Sequence, residues 1–326
     1  MIDKFGRKIK DLRISITDRC NFRCVYCIPE EGIVWQKRSE ILSYEEFVRL
    51  ARLLAGLGIS KLRITGGEPL VRKKVEVLIA SLARIEGIHD LAMTTNAYSL
   101  ADKLDALVKA GLQRINISLD TLNSRKFALM TGRNVFERVI EGVRLAAASP
   151  LKPVKVNAVV IRGVNDDEIV KFVEFAREND CTVRFIEFMP LEGESSWNRE
   201  KVVTGRETRE IIEKVLPLIP KERKDLSETA VRYGFSDGRG EIGFVNPVSE
   251  PFCNACSRLR LTADGKIRTC LFSLEDHDIK GLLRSGATDE ELTQAILEIV
   301  DQKEERHHIN DDHFQRPART MSCIGG

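Results

Sequence analysis

Two groups of three cysteines carry most of the chemistry in this sequence. Cys20-Asn-Phe-Arg-Cys24-Val-Tyr-Cys27 has the spacing C-x₃-C-x₂-C. Cys253-Asn-Ala-Cys256 is followed, after 13 intervening residues, by Cys270. Three thiolates on one short loop can hold three irons of a four-iron cluster, which normally takes four cysteines. The fourth iron is then left for a small molecule, and the aromatic Tyr26 can pack on that molecule's ring. No histidine lies near the first group, which argues against zinc there. The second group divides evenly on spacing alone. With His277 it makes a Cys₃His set suited to structural zinc; without it, it suits a second cluster with an iron open to a substrate atom. Alternation along Ser257–Thr262 puts Arg258 and Arg260 on one face beside that group. Two guanidinium forks suit phosphate or carboxylate recognition, although a solvated strand edge gives the same pattern. The singletons Cys181 and Cys323 read as small filler residues.

These groups need elements to position them. Six apolar strands alternate with amphipathic helices over the first 190 residues. The strands are expected at Leu12–Thr17, Lys61–Thr65, Asp90–Thr94, Gln113–Leu119, Val154–Ile161 and Thr182–Phe188. Ser43 and Glu46 read as a capping box, followed by the stripe Phe47, Leu50, Leu54 and Leu57. Asn165 is placed to cap the helix carrying Ile169, Phe172, Val173 and Ala176. Such a rhythm implies a parallel sheet, either a partial barrel or a doubly wound sheet. The strand faces favour the barrel. Arg13, Ser15 and Thr17 alternate with apolar neighbours, as do Lys61 and Arg63, Asn116 and Ser118, Lys155 and Asn157, and Arg184. The apolar face must meet the helices, so the polar face points inward. A cavity gathering Arg13, Lys61, Arg63, Lys155 and Arg184 suggests an anionic ligand, because buried cations need partners; internal salt bridges are the competing explanation. After Pro190 the pattern changes. A helix near Glu207–Leu216, strands near Ala230–Phe235 and Glu241–Val245, and helices near Ile279–Arg284 and Asp289–Val300 follow. We divide the chain into a partial-barrel domain, 1–200, and a smaller C-terminal domain, 201–326. His307, His308 and His313 near Asp311 and Asp312 read as a solvated turn.

Composition narrows the classes. The chain has 326 residues, 51 basic and 49 acidic, and the net charge of +2 gives no general case for nucleic acid binding. No apolar run is long enough to cross a membrane, and the first residues lack the apolar core of a secretory leader. The expected location is therefore a reducing cytoplasm, where clustered cysteines are ligands rather than disulfides.

The cysteine loop after a first strand, with Thr65-Gly66-Gly67-Glu68-Pro69 ending the second, resembles the radical S-adenosylmethionine (SAM) enzymes. Phe252 to Gly265, the terminal Met321-Ser322-Cys323-Ile324-Gly325-Gly326 and Thr17 to Cys24 narrow the resemblance to the GTP 3′,8-cyclase family, across nearly the whole chain. The resemblance implies an α/β fold, a partial (βα)₆ TIM-type barrel, with a second iron–sulfur cluster on the C-terminal domain. It implies two 4Fe–4S clusters, on Cys20, Cys24 and Cys27 and on Cys253, Cys256 and Cys270. It places SAM on Tyr26, Gly66, Gly67, Glu68, Ser118 and Met189. It places GTP on Arg13, Arg63, Thr94, Lys155, Arg184 and the segment Arg258, Leu259 and Arg260. Arg258, Arg260, Gly325 and Gly326 would serve catalysis. The implied reaction removes hydrogen from C3′ of GTP and joins C3′ to C8, with one electron and one proton completing it. That step opens molybdenum cofactor biosynthesis. A one-electron reductant and a downstream cyclic pyranopterin monophosphate synthase are the implied partners, and a homodimer is compatible with the sequence. The family usually has Thr-Thr-Asn-Gly after the third strand; here Ala97 holds the glycine position, and a positive φ there would strain it. A peptide-modifying radical enzyme would carry a longer cysteine-rich C-terminal region, which is not visible. The intact motifs argue against a silent scaffold.

Overall fold

The computed structural model describes residues 1–27, 35–191 and 197–325. Its first half runs β1 (Asp11–Ser15), α1 (Tyr44–Gly56), β2 (Lys61–Thr65), α2 (Val75–Leu82), β3 (Asp90–Thr95), α3 (Leu100–Lys109), β4 (Arg114–Ser118), α4 (Ser124–Thr131), α5 (Phe136–Ala148), β5 (Val154–Val160), α6 (Ile169–Glu178) and β6 (Thr182–Glu187). The second half adds α7 (Gly205–Glu213), β7 (Leu218–Lys221), β8 (Val231–Phe235), β9 (Glu241–Val245), β10 (Arg258–Leu261), β11 (Lys266–Arg268), β12 (His277–Asp278), α8 (Ile279–Arg284), α9 (Asp289–Asp301) and α10 (Met321–Ile324).

All six expected barrel strands form, and they pair in parallel in chain order. The sheet continues past them. β10 adds in parallel to β1 and β9 adds in parallel to β6, with β11, β12, β8 and β7 outside them. One open sheet of 12 strands results. Residue 200 is therefore not a break in the sheet, because the C-terminal third supplies both of its flanks.

Alternation predicts the faces correctly. Leu12, Ile14, Leu62, Ile64, Ile115, Ile117, Val154 and Val156 are buried in one apolar core with the helices. The capping box of α1 forms, with Ser43 accepting from Glu46 N–H and Glu46 accepting in return, and Phe47, Leu50 and Leu54 are buried. Asn165 does not cap. Its side chain instead accepts from Ile161 N–H and donates to the Asp120 and Val159 carbonyls. It thereby ties the end of β5 to the loop after β4.

Candidate active site

The loop after β1 is held by backbone bonds to its neighbours. Arg23 and Val25 N–H donate to the Thr131 and Met130 carbonyls, and Cys27 N–H donates to Cys24. The Phe22 ring packs edge-on against Phe127, 5.8 Å away. Glycine is required where the loop after β2 meets the cysteine loop. A Cβ on Gly67 would stand 2.4 Å from the Arg19 carbonyl oxygen, and one on Gly66 would stand 2.8 Å from that of Thr17. The approach is fixed by Gly67 N–H on Thr17 and Glu68 N–H on Arg19. Glu68 is buried, and its carboxylate accepts from Leu70 N–H, Thr95 Oγ1 and Asn96 N–H. Burial pushes its pKa up to about 7. Asp120, pushed up to about 6 by burial, accepts from Tyr26 OH at 2.5 Å.

All six grouped cysteines line one cavity of about 290 Å³. Tyr26, Gly66, Gly67, Glu68, Ser118 and Met189 line it from the β1–β6 side; Arg13, Arg63, Thr94, Arg184, Arg258 and Arg260 also reach it. Lys155 lies lower. It lines a larger opening of about 970 Å³ at the amino-terminal ends of the strands, which shares Arg13, Arg63, Arg184 and Arg258 with the first cavity. Leu259 faces the opposite way and is fully buried in the core, so only its backbone is near the site.

Of the five inward cations, one is paired among the described residues. Lys61 reaches Asp225 at 3.4 Å. Arg13, Arg63, Lys155 and Arg184 make no ion pair among the described residues, so internal salt bridges do not account for them. Parallel register sets Arg13 beside Arg260 on one side and Arg63 on the other. Burial, then mutual repulsion, lowers Lys155 to about 7, Arg184 to about 9 and Arg63 to about 10. An anion among them would reverse that shift.

The second cysteine group sits on a tight turn, Cys253–Ala255, and on the residue after Thr269 that follows β11. Arg258 donates to Cys256 Sγ at 3.3 Å. Burial pushes Cys256 up, but Arg258 and Lys303 outweigh it and bring the thiol down to about 6. Burial pushes the other two thiols of this group, Cys253 and Cys270, up, and the first group follows them. Burial raises Cys20 to about 11 and raises Cys24 well above its ordinary value, with Cys27 adding repulsion. His277 pairs within β12 and does not line the cavity, so the Cys₃His set drawn from spacing is not assembled. Among the described residues no three His, Cys, Asp or Glu side chains are grouped for a single metal ion.

The tail returns to the site. Arg319 bridges Asp264 and Asp276, and Met321 and Ser322 line the cavity. Arg260 donates to the Gly325 carbonyl. Gly325 has φ +84°, and a Cβ there would stand 2.3 Å from Thr65 Oγ1. Gly326 lies outside the described residues. Ala97 does adopt the positive φ, at +62°. Cys181 is buried at the lower opening, its thiol pushed up to about 12 by burial.

Sequence reasoning missed four residues here. Asp120 follows Ser118 by two positions and was legible from alternation. Asn157, on the inward face, has a buried Oδ1 without a hydrogen-bond partner. His307 leaves its neighbours and tilts against Phe272, 5.5 Å away, in the cavity wall, while His308 stays outside on Asp311. Lys303 is fully buried behind the second cysteine group. Neither His307 nor Lys303 belongs to a periodic pattern.

Residues 14–176 match the radical SAM superfamily, and residues 181–309 match the molybdenum cofactor synthesis C family. A GTP 3′,8-cyclase of Thermodesulfovibrio yellowstonii is 46% identical, covering 100% of both chains. A GTP 3′,8-cyclase of Moorella thermoacetica is 45% identical, again covering 100% of both. Molybdenum cofactor biosynthesis protein 1 of Bos taurus is 42% identical over 99% of this chain and 51% of its own. Among solved structures, Streptococcus suis SuiB bound to S-adenosylmethionine aligns with TM-score 0.61 and 16% identity, over 89% of this chain and 68% of that one. That likeness concerns the fold.

Proposed function

This chain belongs to the GTP 3′,8-cyclase family of radical SAM enzymes, and from that premise we propose how the cavity shared by its cysteines divides the work. The chain cyclises GTP to (8S)-3′,8-cyclo-7,8-dihydroguanosine 5′-triphosphate, the first step of molybdenum cofactor biosynthesis. The observation that supports this division is that all six grouped cysteines open on one cavity lined by both buried carboxylates, Glu68 and Asp120, and the cations Arg13, Arg63, Arg184, Arg258 and Arg260. The donor sets fit a cluster at each end, with three thiols on one turn or a turn and an adjacent strand end. A four-iron cluster on Cys20, Cys24 and Cys27, with SAM, supplies one-electron cleavage and the hydrogen-abstracting radical.

The residues do the rest. Gly66 and Gly67 let two loops close together, exposing backbone polar groups to the methionine end of SAM. Glu68 and Asp120 give that end the negative charge that suits a sulfonium and an ammonium. Ser118 and Met189 complete the SAM wall, and Tyr26 is held in place through Asp120. At the other end Arg13, Arg63, Lys155 and Arg184 hold the triphosphate, and Thr94 flanks it. Arg258 and Arg260 sit between phosphates and the second cysteine group. Cys253, Cys256 and Cys270 would hold a second cluster, which would supply a metal site able to bind the guanine base. Gly325 is tied to the site by Arg260, and in this reading the terminal Gly325 and Gly326 serve catalysis. Holding C3′ beside the abstracting radical is a positional contribution. The division near residue 200 separates the SAM half from the half carrying the second group. A one-electron reductant and a downstream cyclic pyranopterin monophosphate synthase complete the scheme in the cytoplasm; a homodimer is compatible with it.

Incubating the reconstituted chain with GTP, SAM and a strong reductant tests the reading. Equal release of 5′-deoxyadenosine and cyclised nucleotide is expected. Nucleotide-independent cleavage of SAM with no cyclised product would contradict it.

A further inference from the structure

Two buried cations grip the second cysteine group from behind, and they differ in kind. Arg7 is paired with Asp3 at 2.6 Å. It donates to the Cys253 carbonyl at 3.1 Å and to the Glu304 and Glu305 carbonyls at 2.6 Å each. Its charge is locally neutralised, so it acts as a tether. Lys303 is only 1% exposed. Its ammonium donates to the Arg258 carbonyl at 3.0 Å and to the Thr269 carbonyl. Those carbonyls lie two residues after Cys256 and one before Cys270. No carboxylate forms an ion pair with it among the described residues; the neighbouring Glu304 instead accepts from Thr269 Oγ1 at 2.7 Å. A buried ammonium without an ion-paired carboxylate is costly unless other negative charge stands close. Cys256 is one such charge and the Glu304 carboxylate another, and Lys303 favours the ionised form of both.

We propose that Lys303 is a positioning residue of the second cysteine group: its ammonium ties the segments bearing Cys256 and Cys270 together and raises the reduction potential of the cluster they hold. This rests on the two-cluster reading above. A fixed positive charge favours the more negative, reduced form, and net charge and hydrogen bonding around the sulfurs set such potentials. Gln at this position keeps donors for both carbonyls but removes the charge, so it separates tether from potential.

The test uses the full chain carrying Cys24→Ala, so that the second group titrates alone. Iron and zinc are counted after anaerobic reconstitution, and the midpoint potential is followed by electron paramagnetic resonance. With Lys303 intact, roughly four irons per chain are expected. Lys303→Gln is expected to keep that iron and shift the one-electron equilibrium at least tenfold against reduction, about 59 mV lower. Lys303→Arg is expected to stay at the parent potential. An unchanged potential in Lys303→Gln overturns the proposal. If Lys303→Gln loses its iron, Lys303→Arg decides: retained iron supports the charge, and lost iron in both leaves only packing and overturns it. Zinc in place of iron overturns the two-cluster reading itself, and it appears in the metal count before any potential is measured.

Discussion

The two cysteine groups face the same cavity, but the charges beside them differ, and one thiol, Cys256, records the difference. The first is surrounded by backbone bonds, glycines and the buried carboxylates Glu68 and Asp120, and burial drives the Cys20 and Cys24 thiols up. The second is backed by Lys303 and faced by Arg258, which bring Cys256 down to about 6 despite burial. A carboxylate-rich end suits a cationic cosubstrate. A cation-rich end suits an anionic nucleotide. One fold thus sets two similar cysteine triads in different surroundings, and the surroundings of a site tune it as much as its ligands do.

Swapping out one group at a time separates them most strongly. Cys24→Ala is expected to abolish 5′-deoxyadenosine release. Cys256→Ala is expected to keep that release while losing cyclised nucleotide by roughly three orders of magnitude, a transition-state loss of about 4 kcal/mol; chromatography of both products checks it. Arg260→Ala should weaken GTP binding by about 2 kcal/mol, roughly 30-fold, because a charge-assisted bond is lost. SAM affinity, measured in parallel by equilibrium dialysis, should stay constant. The carboxylate end predicts a pH effect of its own. Glu68 with a pKa of about 7 is mostly protonated at pH 6 and mostly ionised at pH 8. A cationic ligand prefers the ionised form, so SAM affinity should rise about tenfold from pH 6 to pH 8. Glu68→Gln should flatten that profile; an equally steep slope in the variant would remove Glu68 from the account. The smallest effect lies outside both groups. Ala97→Gly should stabilise the chain to heat by about 1 kcal/mol, because the left-handed conformation strains a Cβ.

Most of the first half was legible. Period-two alternation located six strands and told inward cations from core residues, since a strand offers only two faces. The capping box was legible because it is local. Asn165 was misjudged because its partners lie 45 residues away at Asp120 as well as nearby at Ile161. The C-terminal third was harder for the same reason. Arg258 and Arg260 alternate visibly, but nothing local says that their strand pairs with β1 and carries them beside Arg13. On sequence, His277 is the spacing candidate for a ligand and His307 reads as part of a solvated turn. Only the fold turns one into the outer hairpin and the other into the cavity wall. Ala97 was the reverse case, where a single departure from a family pattern foretold its positive φ.

Metal content and paramagnetic spectra of the anaerobically reconstituted chain, with and without GTP, test the central claim most directly. Two distinct clusters predict roughly eight irons per chain and a GTP-dependent change in one signal, absent from Cys256→Ala. Roughly four irons with about one zinc, and spectra indifferent to GTP, would contradict it.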